Sequence, residues 1–217
     1  MTPDDVNSIV KTYSERLDRF GVSPRTLGWG DKDRTRLRFE ILCSAWNLEN
    51  KTVLDFGCGF GDLFAYLAET QPGARYVGID INGRLIEEAR RLHQRGDFRA
   101  MNILDEPLNE QVDYVLVSGV FNDRIGDNRA FMADAFEAFD RIARCGFAAN
   151  FLSTKVDYRY PHAYYTDPAE AVDLCYMYSR NVVLRNDYMP FEFTVFVNKA
   201  SRFDAELAVY EEFLKRL

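Results

Sequence analysis

Residues 53–63 read VLDFGCGFGDL, an apolar run that ends in Asp55 and is followed by Gly57, Gly59 and Gly61. Glycines at alternate positions let a backbone turn tightly and let a ligand approach with no side chain in the way. An acid just ahead of such a turn presents a charge suited to a cationic group. A second apolar run, VGID, ends in Asp80, and a carboxylate at a strand end can accept hydrogen bonds from both vicinal hydroxyls of a ribose. Dinucleotide sites close the pattern G-x-G-x-x-G with a third glycine; here that position, 62, is Asp. An acid at the head of the next helix opposes a pyrophosphate rather than holding it. These residues suit a nucleoside with a positive centre and no phosphate, and S-adenosylmethionine has that chemistry.

For the two acids and the glycine turn to meet, their segments must lie side by side in a sheet with the turns at one edge. The surrounding chain alternates accordingly. KTVLDFG is expected as a strand, DLFAYLAET as a helix, ARYVGID as a strand, GRLIEEARRLHQR as a helix and DFRAMNI as a strand. VDYVLVSGVF, NRAFMADAFEAFDRIAR and CGFAANFLS continue as strand, helix and strand. Such alternation builds an α/β, mostly parallel, doubly wound sheet with covering helices. The nearly continuous apolarity of VDYVLVS suits a strand buried on both sides.

Beyond Ser153 the rhythm changes. Asp167 caps a helix, with Pro168 at its first position and Glu170 three residues past the cap. NVVLRNDY and FEFTVFVNK follow, separated only by Met189 and Pro190, which predicts an antiparallel pair. Ahead of the first strand, residues 4–20 carry Val6, Ile9, Val10, Tyr13, Leu17 and Phe20 at helical spacing, and a second helix is expected from about Arg34 to Leu48. The chain therefore divides into an N-terminal helix and cap segment, 1–34, and a cofactor-binding domain, 35–217.

Composition narrows the partners. The 217 residues are 47% hydrophobic, enough for a full core. No apolar run approaches a membrane span, and the first residues are acidic where a secretion signal would be basic, so a cytoplasmic protein without a membrane partner is expected. A net charge of −7 disfavours nucleic acid as a partner. Cys43, Cys58, Cys145 and Cys175 are widely spaced and only two histidines are present, which argues for free thiols and against a metal site.

Taken together, VLDFGCGFGDL, VGIDI, DFRAMNI and VDYVLVSGVFN resemble the motifs of the Rossmann-like class I S-adenosylmethionine-dependent methyltransferases. The resemblance spans roughly Leu37 to Lys199 and includes the terminal hairpin. It implies a seven-stranded, mostly parallel sheet ending in an antiparallel hairpin, with helices on both faces. It also implies that Asp55, Gly57 and Gly59, with Cys58 between the glycines, cradle the methionine part of the cofactor. Asp80 would bind the ribose and Ile81 would pack on the adenine. Asn102 takes the place of an acid that often touches the adenine amino group, Ile103 beside it is a further cofactor-binding candidate, and Ser118 would lie beside the sulfonium.

Other residues bear on the acceptor. Members of the family that methylate amide or base nitrogens often carry N-P-P-Y or D-P-P-Y after the fourth strand; residues 118–122 are SGVFN, which points away from that subclass. GWGDKDRTRLRFEIL ahead of the first motif is similar to a set of small bacterial methyltransferases, some of them in polysaccharide or secondary-metabolite pathways. A small-molecule acceptor, a sugar or other metabolite methylated on O or N, is expected. The alternatives are a protein or RNA methyltransferase, or a cofactor-binding sensor or partner subunit without turnover. Arg38 lies on the apolar face of its helix, where it either reaches the cofactor carboxylate or covers the edge of the core. Trp29, between two glycines, either closes over the cofactor or simply packs. KVDYRYPHAYYTDP, residues 155–168, holds Tyr158, Tyr160, His162, Tyr164 and Tyr165 beyond the fifth strand, over the acceptor. His162 is the candidate base, because imidazole is basic and neutral near pH 7, and Tyr164 is the second catalytic candidate. His93, late in a charged helix, is expected to face solvent.

Overall fold

The computed structural model describes residues 1–216, with side chains described up to residue 214. Five strands run parallel: β1 (Thr52–Phe56), β2 (Arg75–Asp80), β3 (Asp97–Ala100), β4 (Val112–Val117) and β5 (Ala143–Leu152). β7 (Glu192–Asn198) inserts antiparallel between β5 and the edge strand β6 (Asn181–Arg185), giving the order β3-β2-β1-β4-β5-β7-β6. The order reverses between β1 and β4. In such sheets a crevice opens at the carboxyl ends on either side of the reversal.

Side-chain alternation then dictates the layers. Val53 joins Phe39, Leu42, Leu63, Leu67, Ile86 and Ala89 on one face, beneath α2 (Lys32–Cys43), α3 (Asp62–Thr70) and α4 (Gly83–Leu92). Leu54 and Phe56 point the other way, toward Phe131, Phe136, Phe139 and Ile142 of α5 (Asn128–Ile142) and Ala171 and Cys175 of α6 (Pro168–Cys175). Asp55 therefore falls on the α2–α3 face although its strand neighbours are apolar. α1 (Pro3–Phe20) has no buried residue and lies across the carboxyl edge. Thr2 caps it, accepting from the Asp5 N–H at 3.2 Å while its own N–H donates to the Asp5 carboxylate at 3.0 Å. Among the described residues no helix is long and apolar enough to cross a membrane.

Several boundaries differ from the sequence reading. α2 stops at Cys43 rather than near Leu48: the Ser44 hydroxyl donates to the Ile41 carbonyl at 2.7 Å, and the Trp46 indole N–H turns away to Asn198 Oδ1 at 2.6 Å. β3 stops at Ala100, because Asn102 opens a turn whose carbonyl accepts from Asp105 and Glu106. The link between β6 and β7 runs over residues 186–191, longer than Met189 and Pro190 alone, since Arg185 and Asp187 pair and end β6 early. A small hairpin, β8 (Phe203–Asp204) with β9 (Val209–Tyr210), was not anticipated; Asn181 Nδ2 ties its flank to β6 through Ser201 Oγ at 2.7 Å.

At the crevice, β5 holds the end of β4. Asn150, 1% exposed, accepts from the Gly119 N–H at 2.8 Å and donates to Ser118 Oγ at 3.3 Å. Gly119 has φ +79°, and a Cβ there would stand 2.6 Å from the Trp29 ring, so only glycine fits. Asn150→Ala leaves the Gly119 N–H without its acceptor and is expected to cost about 1–3 kcal/mol. Urea unfolding checks this, with a lowered midpoint at unchanged m.

Candidate active site

The glycine turn is moulded on the end of β2. The N–H groups of Gly57 and Cys58 both donate to the Ile79 carbonyl, at 2.8 and 2.9 Å, and the Gly59 N–H donates to Asp80 Oδ2 at 3.0 Å. Gly57 has φ +76°, and a Cβ on it would stand 2.3 Å from Val120 Cγ2. The other Asp80 oxygen accepts from the Asn82 N–H at 2.8 Å. Both oxygens thus meet backbone donors, with the Ile81 N–H a third donor nearby, and a carboxylate's four lone-pair sites are not exhausted by them. Burial raises the Asp80 pKa, and these backbone donors oppose the rise. Asp55, 3% exposed, accepts from the Tyr76 hydroxyl at 2.7 Å. Burial is the main cause that pushes its pKa up to about 7, with Tyr76 pulling down and Asp80 and Asp62 adding to the rise.

The N-terminal segment roofs this floor. Asn82 caps α4, accepting from the Arg84 N–H at 3.0 Å, while its amide donates to the Val10 carbonyl and Ser14 Oγ of α1 at 3.1 and 3.2 Å. On the far side of the crevice, the Tyr13 hydroxyl donates to Asp123 Oδ2 at 2.7 Å and Asp5 accepts from the Gly126 N–H at 2.9 Å. α1 is therefore fastened both to α4 and to the turn after β4. Thr26 Oγ1 donates to the Gly21 carbonyl at 2.6 Å and holds the loop that delivers Trp29. The Trp29 ring lies on the Arg38 guanidinium, 4.6 Å from its centre, and Arg38 forms a buried bidentate pair with Glu192 at the start of β7.

The tyrosine segment closes the remaining side. Asn122 accepts from the Leu152 N–H through its side chain and from the Tyr164 N–H through its carbonyl, both at 2.8 Å. Arg124 donates to the Pro161 and Ala163 carbonyls at 3.2 and 3.0 Å. The exposed rings of Tyr158, Tyr160 and His162 form a stepped platform, with centroids 5.1 and 5.6 Å apart. The cavity between these elements has a volume of about 740 Å³, within the range of small-molecule sites.

Of the residues singled out from sequence, Trp29, Arg38, Asp55, Gly57, Cys58, Gly59, Asp80, Ile81, Asn102, Ser118 and His162 all line this one cavity. Ile103 does not; it sits in the core with Leu54 and Val115. Tyr164 also stands off the wall, whereas Tyr165 is on it and accepts from the Tyr160 N–H at 3.0 Å. Asn102 spends its carbonyl on the Leu104 N–H at 3.2 Å and its amide on Asp105 at 2.8 Å. Arg38 is neither free nor merely a cover for the core edge, since Glu192 binds it. His93 is not a solvent histidine: its ring packs on Phe64 and Phe98, and burial lowers its pKa. Sequence reasoning missed Glu192, Tyr13, Asp123, Asn82 and Asn150. A charge at the head of the apolar strand FEFTVFVN was the one available signal for Glu192.

The arrangement fits S-adenosylmethionine. Asp80 keeps acceptor capacity for a ribose hydroxyl, Ile81 and Met101 offer apolar surface beside Asn102, and the glycine turn leaves room beside Asp55. The family profile described as "Methyltransferase domain" matches residues 54–146. A Mycobacterium tuberculosis protein named as a methyltransferase, Rv1506c, is 33% identical over 157 residues, covering 69% of this chain and 94% of that protein. Ribosomal protein L11 methyltransferase of Hamiltonella defensa is 33% identical over 154 residues, which are 68% of this chain but only 49% of that protein. Magnesium protoporphyrin IX methyltransferase from Synechocystis PCC 6803, solved with bound SAM, superposes with a TM-score of 0.67 at 18% identity, covering 92% of this chain and 99% of that one. That likeness establishes the fold. With its own motifs, its fold and its relatives in agreement, the chain belongs to the Rossmann-like S-adenosylmethionine-dependent methyltransferases.

Proposed function

We propose that the enzyme methylates an oxygen or nitrogen of a small organic acceptor, such as a sugar or another metabolite. The observation that carries this reading is a single cavity of small-molecule size with structure on several sides. Residues from α1, the loop at 27–30, the turn after β4 and the tyrosine segment all border one cavity of about 740 Å³. A polypeptide acceptor, the substrate in the name of the L11 relative, asks for an open groove. In this reading the adenine lies against Ile81 and Met101, near Asn102, with the ribose on Asp80. The methionine part lies along Gly57 and Gly59 toward Arg38, and Ser118 stands beside the reacting centre.

S-adenosylmethionine supplies an electrophilic methyl group, whose displacement leaves S-adenosylhomocysteine. The chain's own residues position the acceptor in line and exclude water. Tyr158, Tyr160 and Tyr165 offer ring faces to the acceptor. His162 takes the proton released by an oxygen or nitrogen nucleophile, whereas Tyr164 steadies the segment through its backbone.

Asp80→Ala is expected to weaken S-adenosylhomocysteine binding at least about tenfold, the worth of hydrogen bonds to a charged group. Unchanged affinity in calorimetry contradicts the ribose assignment. With an acceptor found by screening metabolites, His162→Ala is expected to slow turnover by about 10²-fold or more at unchanged cofactor affinity. Full activity removes His162 from the mechanism.

Asp55 gives a pH signature. Its folded pKa of about 7 stands above the 3.8 of the unfolded chain, so folding favours its protonated form. Between those values the unfolded state binds fewer protons, and this group's contribution to stability falls as pH rises. A cationic ligand prefers the carboxylate, so affinity for S-adenosylmethionine is expected to rise as pH passes through about 7. Asp55→Asn is expected to flatten that rise when the two proteins are titrated side by side; parallel profiles contradict the assignment.

A further inference from the structure

We propose that Glu192 is a positioning residue that aims Arg38 at the carboxylate of the cofactor's methionine; this rests on the cofactor placement above. Glu192 is 3% exposed and Arg38 8%, and their Cα positions belong to segments 154 residues apart. Arg38 Nε donates to both Glu192 oxygens, at 2.9 and 2.8 Å, and Nη2 donates to one of them. One edge of the guanidinium is thereby spent. The other terminal nitrogen, Nη1, makes no hydrogen bond among the described residues, although Arg38 lines the cavity. Nη1 is not sealed off, so it can be met by a ligand in the cavity, and a guanidinium has five N–H groups in a fixed fork. The anionic group of the cofactor is the carboxylate of its methionine part, and it supplies the acceptor that Nη1 lacks.

Two contacts fix the direction of that free edge. The Trp29 ring, 4.6 Å away, sets the plane of the guanidinium, and the Glu192 fork sets its rotation within the plane. Trp29 is itself wedged against Gly119, where a Cβ would come within 2.6 Å of the ring. The unit therefore ties the loop at 27–30, α2, the turn after β4 and β7 into one clamp. Stability alone does not account for such a pair, because well-packed apolar side chains often do as well in its place.

The test compares two ligands that share a nucleoside. S-adenosylhomocysteine carries the carboxylate, and 5′-methylthioadenosine lacks it. Wild-type protein is expected to prefer S-adenosylhomocysteine. Glu192→Asp keeps the charge but shortens the reach, and Arg38→Lys keeps the charge but loses the fork. Each is expected to lower affinity for S-adenosylhomocysteine about tenfold while binding 5′-methylthioadenosine within about twofold of wild type, which also reports an intact fold. The double variant is expected to be no weaker than Arg38→Lys alone, because Glu192 acts through Arg38. Should Glu192→Asp not fold, nitrogen NMR of arginine-labelled wild type replaces it. One guanidinium, absent in Arg38→Lys, shifts with S-adenosylhomocysteine and not with 5′-methylthioadenosine. Glu192→Asp binding like wild type, equal weakening of both ligands, additive losses in the double variant or an unmoved Arg38 signal overturns the inference. Wild type binding neither ligand overturns the cofactor placement as well.

Discussion

One seam of hydrogen bonds supports the rest of the site. The Ile79 carbonyl takes two N–H groups from the glycine turn, and Asp80 takes a third from Gly59. The turn after β1 is thus shaped by the end of β2, and Asp55 and Asp80 are locked to each other's strands. Parallel pairing of β1 with β2, from Thr52 opposite Arg75 to Phe56 opposite Ile79, delivers this alignment. A one-residue slip would turn Asp55 to the opposite face and take the acceptor carbonyl away from Gly57.

On that floor, the site is completed by segments distant in sequence. α1 is bound along its middle, through Val10 and Ser14 to Asn82 and through Tyr13 to Asp123, and at its first turn through Asp5 to Gly126, so it is fastened to both sides of the crevice. The acidic floor and the arginine in the wall divide the labour. In the proposed placement Asp55 and Asp80 meet the cationic and hydroxylated parts of the cofactor, and Arg38 meets its anionic end. Asp62 at the head of α3 keeps the helix from serving as a phosphate site.

Much of this was legible from the sequence because it rests on local rules. Glycines alternate where the turn needs positive φ, acids close two apolar runs, and Asp167 with Pro168 marks a helix start. What was not legible depends on contacts across the fold. Glu192 meets Arg38, and Tyr13 meets Asp123, only once β7 and α1 are in place. Trp46 reads as a continuation of α2 until its indole finds Asn198 across the sheet. Ile103 is a cofactor-binding candidate beside Asn102 in the sequence, but the turn at Asn102 ends β3 at Ala100 and Ile103 lies in the core. The insertion of β7 between β5 and β6 is likewise a matter of which edge is free, and no local pattern records it.

In the proposed reading one cavity beneath α1 holds the cofactor with its reactive end facing the tyrosine segment. A crystal structure with S-adenosylhomocysteine bound tests it most directly. The ribose hydroxyls are expected on Asp80, the carboxylate on Arg38 and the sulfur beside Ser118, facing Tyr160 and His162 under α1. A ligand with its sulfur turned away from that segment, or bound with α1 displaced to leave an open groove, would contradict it.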